Sequence, residues 1–544
     1  MSPMWQQNYT PVADSLALST AVAAIPVFAL LFLLGVLRKP AWMASLAGLA
    51  AAAAVALGVY GMHAGTLASA IAYGAAFGLF PIGWVVFTAI LLYNITVQTG
   101  KFQLVKDSVG SLTEDRRLQA LLIAFAFGAF IEGAAGFGTP VAVSAAMLAG
   151  LGFSPFYAAG ICLLANTAPV AFGSIGTPIL TLAGITGLPL DRLSAGVGRI
   201  CAPVSLIVPG YLILVMGGWK ALRGVLPAAA VCGVAFAGTQ FLVSNFIGPQ
   251  LTDILSSLAA IGGLVLLFKL WKPKSGFKLE GEASAHVAPP HHPTSQLLVA
   301  WAPYLLLVVF VLLWGYKPVQ LKLAAATQTF AWPALHNVIE RVPPVVAKSS
   351  PYGAIYNFNW LSAPGTACLF AGILSALLLR MPIAQFVRVF RSTVKQLLLA
   401  ELTIASVLAL AFLMNYSGAT ATLGLAFAAT GALFPFFSAM LGWLGVFLTG
   451  SDTAANALFG NLQVITAGKL DMNAVLMASS NSAGGVMGKM ISLQSVAVAS
   501  AATAMKADDE GRLFRFTLRH SILLASLMGL LVVFYAYVAP QWAP

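Results

Sequence analysis

The sequence predicts an all-α polytopic membrane protein with about twelve transmembrane helices, two re-entrant hairpins and an inverted-topology repeat. Three observations carry that expectation. Of 544 residues, 60% are hydrophobic and only 8% charged, with a mean hydropathy of +0.91; a soluble domain carries roughly 25% charged residues. Apolar runs of bilayer-spanning length recur along the whole chain. Two apolar stretches, Gly128–Pro140 and Gly445–Asn456, are each interrupted by small polar residues and one acid. In lipid, broken backbone and a carboxylate survive only where they line a cavity, and a duplicated pair of such breaks marks a secondary transporter's binding site.

The amino terminus, residues 1–16, is polar and has no basic n-region, so it does not read as a cleaved signal peptide. Spans are then expected near 15–37, 42–62, 67–98, 155–187, 192–217, 224–246, 250–270, 296–314, 364–379, 397–417, 473–503 and 521–539. The net charge of +12 is concentrated in clusters at span ends: Arg38-Lys39, Lys101/Lys106/Arg116/Arg117, Lys220/Arg223, Lys269/Lys272/Lys274/Lys278, Arg380/Arg388/Arg391/Lys395 and Lys506/Arg512/Arg515/Arg519. This is the positive-inside pattern rather than a nucleic-acid footprint. Placing all six clusters in the cytoplasm puts both termini outside. Four single cysteines (Cys162, Cys201, Cys232, Cys368) form no disulfide framework.

Residues 118–151 and 435–467 each read as helix, break, helix, with arms of about 12 to 14 residues, too short to cross. They are expected to dip into the membrane and return to the same side. Segments 155–187 and 473–503 read as broken helices. A polar linker at 271–295, containing the His291-His292 pair, divides a first half (1–270) from a second (296–544). Segment 315–362 reads as an external loop rich in proline and aromatics.

The halves align on Asn94/Asn415, Gly128/Gly445 and Asn166/Asn481, and Gly-x-Phe-[Ile/Leu]-x-Gly recurs in both hairpins. Seven crossings separate Asn94 from Asn415, an odd number, so the repeats are inverted. Inverted repeats build two related gates around one site, with the hairpin tips meeting near mid-membrane.

The block from Gly128 through Pro178 contains Glu-Gly-Ala-Ala-Gly-Phe-Gly-Thr-Pro (132–140) and Ala-Asn-Thr-Ala-Pro-Val-Ala-Phe-Gly-Ser-Ile-Gly-Thr-Pro-Ile (165–179). There the chain resembles the lactate permease family of bacterial proton–lactate/glycolate symporters, over essentially its whole length. Asn166-Thr167 and Ser480-Asn481-Ser482 are similar to signatures of a broader ion-transporter superfamily. The resemblance implies a substrate such as lactate or glycolate, protons as the coupling ion, membrane lipid as the surroundings, an elevator-type motion against a scaffold that is often a homodimer, and no cofactor.

A small carboxylate substrate needs donors, and half-helix N-termini supply them cheaply in a membrane. Glycine-rich tips, here Gly136, Gly138 and Thr139, let backbone approach a ligand. Asn166, Thr167, Asn456, Asn481, Ser451 and Ser482 can donate to a carboxylate or accept from a hydroxyl, although a buried asparagine also serves as helix–helix glue. Proton coupling needs a titrating group inside the membrane. The six histidines lie at span ends or in loops, which leaves Glu132 and Asp452 at the two tips; a capping carboxylate that never titrates is the alternative. Glu401 reads as an interfacial partner of Lys395. Two embedded cations, Lys489 and Arg199, are candidates for the substrate carboxylate. Sodium coupling through Thr449–Thr453 remains an alternative. A membrane-embedded enzyme is weaker, because no metal-ligand cluster, nucleophile–base motif or phosphate loop is evident.

Overall fold

The computed structural model describes residues 4–136, 138–274, 277 and 292–544. Phe137 and most of the 271–295 linker, including Glu280 and His291, lie outside the described residues. The principal helices are α1 (Leu16–Gly35), α2 (Ala41–Gly58), α3 (Ala64–Gln98), α4 (Arg116–Ala134), α5 (Thr139–Gly150), α6 (Pro155–Ala165), α7 (Gly173–Thr186), α8 (Leu190–Phe246), α9 (Thr252–Leu270), α10 (Thr294–Gly315), α11 (Pro364–Leu378), α12 (Ile383–Ser417), α13 (Phe434–Thr449), α14 (Asp452–Lys469), α15 (Ala474–Gly488), α16 (Leu493–Ala502) and α17 (Ala507–Val533). Among the described residues, ten helices are long and apolar enough to cross a membrane, or eleven if the bent pair Pro155–Ala165 and Val170–Thr186 is one span. The chain is a multi-pass membrane protein.

The count differs from twelve for identifiable reasons. α8 is one helical run of 57 residues but reverses at Gly217 and Gly218, where φ is −148° and +69°. Its two legs then pack so closely that a Cβ on Gly233 would lie 2.4 Å from the Leu206 carbonyl. The expected pair 192–217 and 224–246 is therefore present as a folded-back unit. α11 has only 15 residues, and 473–503 is divided between α15 and α16 by a 3-10 turn at Lys489–Ile491. The expected short hairpin arms are also longer than their sequence limits suggested. α4 spans 19 residues, α13 spans 16 and α14 spans 18, so length alone does not separate these arms from spans.

The arms pair locally and then exchange between halves. α4 packs on α5, and α13 on both α14 and α15; across the halves, α5 packs on α16 and α7 on α14. The α13–α15 seam is a backbone-to-backbone approach. A Cβ on Gly442 would lie 1.9 Å from the Asn481 carbonyl, and one on Gly484 would lie 2.1 Å from the Ala439 carbonyl. Small residues are what permit helices to approach this closely where lipid offers no hydrophobic drive for association. α1, α2, α3 and α12 form a second body, with α12 packed along α2 and α3.

The 315–362 segment is not a plain loop. It contributes strands β2 (Gln328–Ala331), β3 (Ile339–Arg341), β4 (Ser350–Pro351) and β5 (Ile355–Phe358), and β1 is Trp5–Gln6 at the amino terminus. β2 pairs antiparallel with β5, while β3 pairs parallel with β1 and antiparallel with β4. The all-α expectation thus needs two small sheets added. Their aromatic side chains hold them on the helices: Tyr73 of α3 meets Trp332 edge-on at 5.3 Å and Phe412 of α12 at 5.1 Å. In β5 the buried Tyr356 between exposed Ile355 and Asn357 shows the alternation of a half-buried strand, whereas β2 is exposed along its length.

Candidate functional site

Both breaks are built by backbone that helices reject. At the first tip, Gly136 and Gly138 have φ of +64° and +80°, reversing the chain between α4 and α5. Opposite it, α7 opens with three consecutive left-handed residues, Ser174 (φ +46°), Ile175 (φ +58°) and Gly176 (φ +75°). For a non-glycine residue this conformation costs roughly 1–2 kcal/mol, and such strain clusters at functional sites. The strained turn is tied to the tip, because Ser174 Oγ donates to the Ala135 carbonyl at 2.9 Å. A Cβ at Gly136 would lie 2.0 Å from that Oγ. At the second tip, Gly450 (φ +71°) reverses the chain, and Ser451 caps α14 by accepting from Ala454 N at 3.3 Å.

Between these breaks lies a cavity of about 170 Å³, well above the roughly 10–15 Å³ that one water needs. Its polar lining includes Glu132, Ser174, Thr177, Thr449, Ser451, Asp452 and Lys489, with Ser45 and Thr403 across the gap. Its apolar wall comes from Val170 and Pro178 and, across the gap, from Leu30 and Leu34 of α1 and Ile404, Val407 and Leu408 of α12. The cavity therefore lies between α4, α7, α13, α14 and the Lys489 turn on one side and the α1–α2–α12 body on the other. It shares Leu34, Ala41, Thr449, Gly450 and Gln494 with a larger cleft of about 1260 Å³ that reaches Arg38, Lys39 and Glu510. Arg38 and Lys39 form one of the basic clusters expected in the cytoplasm.

Three charged groups line the cavity: two acids and one cation. Asp452 is 3% exposed; its Oδ2 accepts from Ser482 Oγ at 2.5 Å and from Asn456 Nδ2 at 3.3 Å, while Oδ1 is unpartnered. Lys489 Nζ donates to the Gly450 carbonyl at 2.6 Å, and the charges of Glu132 and Asp452 both act on it. Glu132 is buried beside Asn166 with Oε2 unpartnered. Its close neighbour is backbone, since a Cβ on Gly173 would lie 2.6 Å from Glu132 Oε1.

Behind Asp452 runs a continuous polar chain. Asn456 donates to the Pro178 carbonyl at 3.2 Å, Asn481 Nδ2 donates to Asn456 Oδ1 at 2.9 Å, and Gln463 Nε2 donates to Asn481 Oδ1 at 3.0 Å. Ser438 Oγ donates to Gln463 Oε1 at 2.7 Å and also contacts Ser480. Such fully connected buried networks fix geometry.

The expected site residues therefore separate into groups. Glu132, Ser451, Asp452 and Lys489 border the cavity. Asn166, Asn456, Asn481 and Ser482 stand behind it, holding or facing the acids. Thr167 turns back to the Leu164 carbonyl at 2.8 Å, and Gly136, Gly138 and Thr139 shape the tip without bordering the cavity. Arg199 is not brought to the cavity. It donates to Asn245 Oδ1 at 2.8 Å and to the Trp542 and Ala543 carbonyls at 3.1 Å, clasping the carboxy-terminal segment. Glu401 makes no ion pair with Lys395 among the described residues; its Oε1 is buried without a partner, and it packs on Gly83. Sequence reasoning missed Ser174 and Thr177, although both lie in the quoted 165–179 block. It also missed Asp253, which looks like an ordinary helix-start acid.

The family model described as L-lactate permease matches residues 19–539. This chain belongs to the L-lactate permease family. It is 45% identical to the L-lactate permease of Bacillus subtilis over 99% of this chain and 100% of that one. It is 43% identical to the L-lactate permease of Escherichia coli K12, again over 99% and 100%. It is 44% identical to the Escherichia coli glycolate permease GlcA, over 98% of each. These relatives are named as permeases, and the chain is a membrane transporter rather than an enzyme. Among solved structures, the Alcanivorax borkumensis YdaH transporter aligns at 14% identity with a TM-score of 0.46, covering 87% of this chain and 88% of that one.

Proposed function

We propose that this permease imports lactate, and related 2-hydroxycarboxylates such as glycolate, by proton symport across the bacterial cytoplasmic membrane. The observation that carries the reading is the cavity bordered by Glu132, Asp452 and Lys489, closed on one side by both breaks. With both acids ionised, this site has one excess negative charge before substrate arrives. A substrate anion adds a second, in surroundings where uncompensated charge costs several kcal/mol per ion. Protonating the acids removes that charge, so anion binding and proton uptake favour each other. Lys489 is then the counter-ion for the substrate carboxylate. Ser451, Thr177 and Ser174 supply neutral donors and acceptors, and Val170, Ile404 and Val407 form the surface that meets the lactate methyl.

The position of Lys489 also favours protons over sodium. Its ammonium occupies the Gly450 carbonyl at 2.6 Å, a group that would otherwise serve as a sodium ligand at the second tip.

In this reading α4–α5 and α13–α14 are the two re-entrant hairpins of an inverted repeat, and with the broken helices they form an elevator body that slides against α1, α2, α3 and α12. The cavity's continuity with the Arg38–Lys39 cleft supports reading this as an inward-facing arrangement, with both termini outside. β1, which pairs with β3 of the 315–362 segment, precedes α1, and Arg38–Lys39 follow it, which supports placing that segment on the side away from the basic cluster. The test is uptake of labelled lactate into proteoliposomes under an imposed pH gradient without sodium, with glycolate as competitor. Gradient-driven, glycolate-sensitive uptake supports the reading; uptake that requires sodium and ignores the pH gradient overturns it.

A further inference from the structure

We infer that Asp253 is a second proton-holding carboxyl of the transport cycle, acting on Glu132 from behind the first hairpin tip; this rests on the proton-symport reading above. Asp253 sits in the first turn of α9 and is 1% exposed. An acid there ordinarily caps the free amides of its own helix, yet both its oxygens lack a hydrogen-bond partner, and the helix start carries no side-chain cap. Its backbone neighbour is the tip itself. A Cβ on Gly133, the residue after Glu132, would lie 2.8 Å from Asp253 Cβ and 3.1 Å from Ile254 N. α9 is thus pressed against the residue pair that carries the cavity acid.

The groups facing Asp253 do not neutralise it. α4 presents Glu132, whose charge acts on it. α8 presents the buried thiol of Cys201, while its Arg199 is committed to Asn245, Trp542 and Ala543. α7 and the Pro249–Leu251 turn contain no ionisable side chain. An ionised Asp253 would be a buried anion with no donor and no counter-ion beside another acid, the costliest arrangement available to it. A proton removes that cost, and two neighbouring carboxyls then titrate as a pair rather than singly. Asn166 faces Glu132 from the other side. When Glu132 takes or releases a proton as the cavity fills or empties, Asp253 is the group positioned to exchange a proton with it. No bond other than O–H is made or broken in that step.

The test is Asp253→Asn, which keeps shape and removes the ionisation, in proteoliposomes alongside wild type. We expect lactate accumulation driven by a pH gradient to fall at least about tenfold, the equivalent of losing one proton's coupling across one pH unit. Lactate exchange without a net gradient should fall far less. Infrared difference spectra on lactate addition should lose one protonated-carboxyl band relative to wild type. A variant with wild-type pH dependence and an unchanged carboxyl spectrum overturns the role of Asp253. If wild type itself shows no pH-driven accumulation, the symport reading fails first. Should the variant not fold, wild-type spectra still decide the matter: with Glu132 and Asp452 already responding to lactate, Asp253 requires a third responding carboxyl, and two or fewer contradict its role.

Discussion

Replacing Lys489 by glutamine removes the single positive charge from the cavity wall and leaves two acids and the substrate anion without a cation. Lys489 is 7% exposed and its ammonium is fixed by the Gly450 carbonyl at 2.6 Å, so solvent cannot replace it. Truncating one partner of a buried, hydrogen-bonded charge pair costs about 2–5 kcal/mol. At 1.4 kcal/mol per tenfold, that is about 30-fold to about 4,000-fold in lactate affinity. The site has one way to recover part of this, namely to bind a further proton on Glu132 or Asp452. The loss should therefore be largest at alkaline pH and shrink as pH falls. Calorimetric titration of purified protein with lactate across a pH series measures both effects, with thermal unfolding as a check on folding. Lys489→Arg keeps the charge and should recover part of the affinity. If Lys489→Gln binds lactate within about threefold of wild type, with unchanged pH dependence, the electrostatic argument for this cavity is wrong.

Glu132→Gln should abolish accumulation of lactate by a pH gradient while retaining lactate exchange, both read in proteoliposomes; normal pH-driven accumulation would remove Glu132 from the coupling path. Arg199→Ala should lower thermal stability by freeing the carboxy-terminal segment, at about 1.5–3 kcal/mol for a hydrogen bond to a charged group, and leave the KM for lactate nearly unchanged. A collapse in substrate affinity would instead place Arg199 at the substrate. Val407→Phe adds bulk to the apolar wall of a cavity of about 170 Å³ and should raise the KM for lactate more than for glycolate, which lacks the methyl group. Equal effects on both substrates would mean that the methyl faces another wall.

Much of this architecture is legible in the sequence because lipid enforces it. Expected limits such as 42–62, 250–270 and 296–314 fall within a few residues of α2, α9 and α10, since an apolar run has to be helical to satisfy its backbone. The tips at Gly136–Thr139 and Gly450–Asp452 are legible for the converse reason, that glycine and small polar residues interrupt such runs only where backbone must turn. Glu132, Asp452 and Lys489 followed from being ionisable within apolar sequence. The misassignments come from features that are not local. Arg199 and Glu401 are embedded charges like Lys489, and only packing distinguishes an arginine that clasps a distant carboxy terminus from one facing substrate. Asp253 resembles a helix cap until its oxygens are seen to lack partners. The apolar wall from α1 and α12 is contributed by elements far from either break, which no spacing within the two interrupted blocks can reveal. The sheets of 315–362 escaped because short edge strands in a proline-rich segment give little periodic signal.

The central claim is that lactate and protons cross together through the cavity between the two breaks. The direct measurement is the pH outside sodium-free proteoliposomes while a lactate gradient drives influx, in wild type and in Glu132→Gln. Lactate-dependent alkalinisation of the medium in wild type, lost in Glu132→Gln, is the result expected here. Lactate influx without any change in external pH, or with one that appears only when sodium is added, would contradict it.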